Sequence, residues 1–133
     1  DPVRAPLIEL QAGDCLYCGE RLRGQADVDH FIPWARRPDN SLHNLVAAHP
    51  HCNNAKRDFL SAGRHVERWR RRNDDHAGEL SDMGRSLHWD VGEGRVLGVV
   101  RGVYLGLPGD SRLWVRKREF VAMDRGRLVD ALG

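Results

Sequence analysis

The sequence has no hydrophobic run near the roughly 18 residues that a membrane-spanning helix needs, and its N-terminus lacks the charged-then-apolar pattern of a secretory signal. A spanning helix is excluded, and the expected location is cytoplasmic. Cysteine is scarce: Cys15, Cys18 and Cys52 make an odd count, which cannot close a set of disulfides and does not suit a bridge-stapled secreted domain. Lysine is scarcer still, with two residues against 19 arginines. The rigid guanidinium fork fits phosphate oxygens, so this usage is compatible with a nucleic-acid partner. Residues 1–61 carry seven basic and eight acidic side chains, residues 62–133 fourteen and eleven, which places the positive excess in the second half. There is no Gly-x-Gly-x-x-Gly or P-loop to drive a nucleotide motor, no helix-turn-helix reader and no internal repeat of 20–50 residues.

What remains is the balance of a folded domain: 133 residues, 41% hydrophobic and 30% charged. Leu7, Ile8 and Leu10 predict a short helix ending at Gly13. Residues 26–32 alternate like a strand up to Pro33, and 44–48 read as a second strand. Helical periodicity runs from His51 to about Leu60, with Ala55, Phe59 and Leu60 on one face. Beyond residue 61 the pattern is helical: 64–76, then a helix marked by Leu80, Met83 and Leu87, then 94–106. In the last of these, glycine every fourth residue (94, 98, 102, 106) predicts a neighbour packed closely on that face, since each interior glycine costs about 1 kcal/mol of helix stability. Leu113–Val115 suggests a brief strand, and 118–132 a helix interrupted near Gly126. The division expected is 1–61 and 62–133, with a soft boundary at Ser61–Gly63, the two parts packing as one α+β, mainly helical domain.

Cys15-x2-Cys18 and His49-x2-Cys52 are two knuckle-spaced pairs. A pair so spaced brings two side chains to one ion, and two pairs complete a tetrahedral zinc site with three thiolates and one imidazole. His51 competes with His49 as the fourth ligand, and His49 matches the spacing of the first pair. Four protein ligands leave no open position for water, so the reading is a structural zinc that folds a segment poor in apolar residues.

Between the pairs lie Asp27-Val28-Asp29-His30-Phe31-Ile32-Pro33-Trp34, then Asn40, then His43-Asn44-Leu45, and after the second pair Cys52-Asn53-Asn54-Ala55-Lys56. Over about residues 14–60 this order resembles the HNH endonucleases, whose ββα-metal motif runs Asp-His-Ile-x-Pro, Asn-Leu, then Cys-His-or-Asn-x-x-Lys. The resemblance implies a ββα-metal nuclease motif with a helical C-terminal extension. Phosphodiester hydrolysis needs a base for the attacking water and a hard cation at the phosphate. Imidazole exchanges protons near neutrality, which makes His30 the candidate base. Asp29 and Asn53 supply the oxygen donors that Mg²⁺ or Mn²⁺ prefers, with Asp27 in reserve for Asp29. Adjacent strand residues face opposite sides, so a distorted strand end before Pro33 is expected to bring Asp29 and His30 together. By resemblance, Asn44 braces the loop and orients the base. Lys56, one turn after Asn53, reaches phosphate or stabilises the helix.

Lys56, Arg57, Arg64, Arg68 and Arg71 are the candidate nucleic-acid contacts, within a cluster at 64–72 that equally suits a solvated helix face; Arg116–Arg118 is a second basic run. Trp69, Trp89 and Trp114 read as core, and Trp34 as packed against the motif. The function expected is metal-dependent hydrolysis of DNA, duplex before RNA, one strand per active site, with restriction or defence as the leading role. The alternatives are a catalytically silent zinc-stapled module that binds nucleic acid or a partner protein, and an RNase on the same scaffold.

Overall fold

A computed structural model describes residues 1–133. Helix α1 (Arg4–Leu10) leads through a knuckle at Cys15–Gly19 into strand β1 (Asp27–His30). A short 3-10 turn precedes strand β2 (Leu45–Ala48), and helix α2 (Pro50–Lys56) follows at once, with Pro50 in the first helical turn, where its missing N–H is not needed. Then come α3 (Gly63–Asp75), α4 (Ala77–Leu87), α5 (Arg95–Leu105), β3 (Arg112–Arg116), β4 (Glu119–Ala122) and α6 (Arg125–Leu132). No helix is long and apolar enough to cross a membrane. The class is α+β, with six helices and two small antiparallel sheets, and residues 27–56 form a ββα unit.

β2 explains why a two-stranded sheet can be stable here. All four of its residues are buried, but on two sides. Val46 and Ala48 join the main core with Phe31, Trp69, Val100, Tyr104, Trp114 and Leu128, while Leu45 and Ala47 join a second cluster with Leu7, Leu10, Leu42 and Leu80. An isolated hairpin is marginal in water; this one is clamped between apolar layers drawn from both halves of the chain.

Three expectations are corrected. Residues 118–123 are not helical: Glu119–Ala122 pairs with Arg112–Arg116 around a tight turn in which Arg118 takes φ 60°. The turn and the edge pairing override a helix-like spacing of apolar residues. The helix after the second metal pair stops at Lys56, because Arg57 enters positive φ (51°) and turns the chain. The glycine face of α5 has no close neighbour; Gly94 and Gly106 cap the helix, and a Cβ on Gly98 or Gly102 would meet nothing within 4 Å. At Leu60–Ala62 the backbone is tied to Trp114 by two hydrogen bonds, Trp114 N–H to the Leu60 carbonyl at 2.8 Å and Ala62 N–H to the Trp114 carbonyl at 2.7 Å.

Candidate active site and metal centre

The knuckle closes because Gly19 adopts φ 76° while its N–H donates to the Cys15 carbonyl at 3.0 Å. Backbone amides of Glu20 and His49 point at the sulfurs of Cys18 and Cys15 at 3.5 and 3.4 Å. The ligand atoms of Cys15, Cys18, His49 and Cys52 all lie within 4.8 Å of one another. A tetrahedral zinc places such atoms about 3.4–3.8 Å apart, so the group fits with shifts of a few tenths of an ångström to about an ångström. The cluster selects His49 over His51. Its Nδ1 lies 3.3 Å from the Cys18 sulfur, while Nε2 sits 3.0 Å from the Arg21 carbonyl, a partner that fixes the proton on Nε2 and aims the Nδ1 lone pair at the sulfurs. His51 stacks on the His49 ring, centroids 4.7 Å apart. A hydrogen bond from Cys52 holds the Cys15 thiol at about 4, far below its ordinary value, and the same contact pushes Cys52 up. Three sulfurs this close carry negative charge together only around a cation, which is the chemistry of a zinc site.

The second constellation lies on β1. Asp27 and Asp29 pair with Ala48 and Val46, so all four share the sheet face that α2 crosses. Two rungs join strand to helix. Asn53 Nδ2 donates to Asp27 Oδ2 at 3.0 Å, and Lys56 Nζ sits 3.3 Å from Asp29 Oδ2. The Tyr17 hydroxyl donates to the same Oδ2 at 2.5 Å. Asp29 Oδ1 and Asn53 Oδ1 have no protein partner, and both are oxygens that a hard cation would accept. The direct side-chain partner of Asn53 is therefore Asp27, the reserve residue, while Asp29 is oriented by a tyrosine hydroxyl and an ammonium.

β1 is regular through His30, which pairs with Leu45, so the expected distortion is absent and the imidazole leaves the strand on the face opposite Asp29. With Nε2 3.0 Å from Asn40 Oδ1, the ring donates there and keeps its Nδ1 lone pair. Asn40 is held in turn by Trp89, whose indole N–H donates to the Asn40 carbonyl at 2.7 Å. Asn44 does not touch the ring. Its amide accepts from Ile32 N–H at 2.8 Å and donates to the Asp39 carbonyl at 2.9 Å, pinning the loop on either side. The side chain hydrogen-bonded to the His30 ring is that of Asn40.

Residues 15–59 match the HNH endonuclease family model. A search of curated proteins returns no match to the chain. The matched HNH segment begins at the first zinc-pair cysteine and ends three residues after Lys56, so it contains both constellations.

The basic candidates separate by burial. Lys56 is fully buried, its ammonium shared between Asp29 and the His30 carbonyl at 3.1 Å and its titration lowered by burial, so it braces the site and does not face phosphate. Arg68 donates to the Leu16 and Tyr17 carbonyls, both at 2.8 Å, and holds the knuckle. Arg72 is buried among backbone carbonyls and Asn73, and desolvation lowers its titration to about 9. Arg57, Arg64 and Arg71 are exposed and form no ion pair. Sequence reasoning assigned no role to Tyr17 or to the Asn40 side chain, and it read Trp89 as core, whereas Trp89 is half-buried and braces Asn40. Tyr17 is a spacer inside the first knuckle and Asn40 a loop residue ten positions from His30; Trp89 gives no local signal at all.

Proposed function

We propose that the protein is a metal-dependent endonuclease that hydrolyses one DNA strand per active site, with His30 as general base and Asp29 and Asn53 as ligands of a divalent cation. The observation that carries the reading is the complementary vacancy of the donor atoms. Asp29 Oδ1, Asn53 Oδ1 and His30 Nδ1 are each free, while their sister atoms are fixed by Tyr17 and Lys56, by Asp27, and by Asn40. Side chains held this way are preorganised, which is where most of a hydrolase's advantage lies.

β1 has a strand partner only on the β2 side, and no strand covers its other edge. A phosphate lying across that edge is approached by Asp29 from one face and by His30 from the other, which removes the need for a strand distortion. His30 Nδ1 takes the proton of the attacking water, while the Nε2–H bond to Asn40 Oδ1 holds the ring in place and strengthens as the ring becomes cationic. A bound Mg²⁺ or Mn²⁺ supplies charge stabilisation at the scissile phosphate and leaving oxygen. The Cys3His group, whose positions are all protein ligands, acts as a structural zinc that ties the knuckle to the start of α2. Arg57, Arg64 and Arg71 are among the exposed, unpaired cations available to backbone phosphates, which makes binding weaken as salt rises.

Nicking of supercoiled plasmid in Mg²⁺ or Mn²⁺ tests the reading, with relaxed circles expected before linear DNA. Asp29→Asn is expected to abolish nicking with zinc still near one per chain. Equal nicking by Asp29→Asn and wild type would contradict the assignment, and linear product at the first encounter would contradict the one-strand claim.

A further inference from the structure

Beside His30 lies an exposed side chain that the catalytic reading does not use. Trp34 is 54% exposed, the most exposed large hydrophobic side chain of the chain, and Trp69 and Trp114 are fully buried. Its ring is tilted at 59° to the His30 imidazole with centroids 5.4 Å apart. The indole stands on a turn anchored by buried Pro33, whose carbonyl accepts the N–H groups of Arg36 at 2.9 Å and Arg37 at 3.1 Å. Arg36 and Arg37 are exposed, and neither side chain forms an ion pair or hydrogen bond within the protein. Leaving an indole in water forgoes the burial that Trp69 and Trp114 obtain, and two unpaired arginines on the same turn favour an anionic, aromatic ligand.

We infer that Trp34, Arg36 and Arg37 form a subsite for an unpaired nucleotide next to the scissile phosphate, with the base stacked on the indole and the flanking phosphates on the guanidiniums. The proposal rests on the nuclease reading for the position of the scissile phosphate. A phosphate presented to His30 brings its neighbouring nucleotide within reach of a ring only 5.4 Å from the imidazole. In an intact duplex the bases are paired and stacked inside, so the indole can meet a base face only where a nucleotide is bulged, flapped or single-stranded. Stacking of this kind tolerates any base, because each has a π-face. The preferred substrate is therefore nucleic acid with an unpaired nucleotide at the cut site, recognised by structure and not by sequence.

The test is equilibrium binding of the full chain, without added divalent cation, to a fluorescein-labelled duplex and to the same duplex carrying one unpaired nucleotide. Wild type is expected to favour the unpaired substrate by about tenfold, the range of one base–aromatic stack. Trp34→Phe keeps most of that preference and Trp34→Ala loses it. The double change Arg36→Gln and Arg37→Gln weakens both substrates alike and flattens the salt dependence. A Trp34→Ala protein that retains the preference overturns the proposal. So does a wild type that binds both substrates equally while Trp34→Ala weakens both, which describes a wedge in a duplex groove. A protein that shows the preference but cleaves neither plasmid nor the duplex with the unpaired nucleotide under any divalent cation contradicts the nuclease reading and leaves a binding site for an unpaired base standing.

Discussion

Tyr17 shows how much a single atom decides at this site. Its ring is buried edge-on against His65 and Trp114, with centroids 5.4 Å away in both cases, and its hydroxyl reaches across to Asp29. Burial and the neighbouring carboxylate push its titration up, so it stays a hydrogen-bond donor at any working pH. Together with Lys56 it fixes one carboxylate oxygen and leaves the other without a protein partner, free for the cation of the proposed reaction. Removing such an outer partner costs metal sites about 10–100-fold in affinity or activity. Tyr17→Phe is therefore expected to raise the Mg²⁺ concentration for half-maximal nicking by at least about tenfold, with the zinc content unchanged. A Mg²⁺ titration of nicking checks this, and an unshifted curve would remove Tyr17 from the site. Lys56 makes the converse point: a motif position whose residue type suggests phosphate contact is an internal brace, because the helix that carries it lies on the aspartate face of β1.

At the scale of elements, α5 offers the cleanest stability prediction. Gly98 and Gly102 are interior to the helix, exposed and free of close neighbours. Nothing in the folded state requires a glycine there, so Gly98→Ala and Gly102→Ala should each raise stability by roughly 0.5–1 kcal/mol, through helix propensity and a less flexible unfolded chain. Thermal melts with each change and with both would show increments that add; a loss on either would mean an unseen packing partner. The elements that sequence made legible were those whose signal is local. The two metal pairs, the alternation in 27–30, the short apolar run at 45–48, and the helical spacing of α3, α4 and α5 each follow from a few neighbouring residues. The misread β4 depended on pairing with β3, a contact that periodicity in 118–132 does not report. The partners of the candidate base were hidden for the same reason, since Asn40 is positioned by Trp89 across 49 residues.

At the scale of the molecule, the two halves share one core, and His65 is a joint between them. On α3, it donates Nε2–H to the Val115 carbonyl at 2.8 Å and packs against Tyr17 and Trp114. Burial lowers its titration from 6.5 to about 4, so the folded protein holds the ring neutral. The unfolded chain therefore binds a proton first as pH falls. The stabilisation from neutral His65 is complete above about pH 6.5 and is lost progressively between there and about 4, an effect on the order of 3 kcal/mol at most. Zinc loss at low pH affects any variant, so the measurement is a difference: His65→Gln, which keeps a donor for Val115, should show a shallower fall in melting temperature than wild type across this window. Parallel curves would mean that His65 is not neutral in the folded state.

In the proposed reaction His30 is the base of a metal-dependent nuclease. The most direct test of that role is a supercoiled-plasmid nicking assay of wild type and His30→Ala in Mg²⁺ or Mn²⁺, with zinc measured on the same preparations. The expected result is nicking by wild type, loss of about a hundredfold or more in His30→Ala, and zinc near one per chain in both. Nicking by His30→Ala at the wild-type rate, with zinc retained and the fold intact, would contradict it.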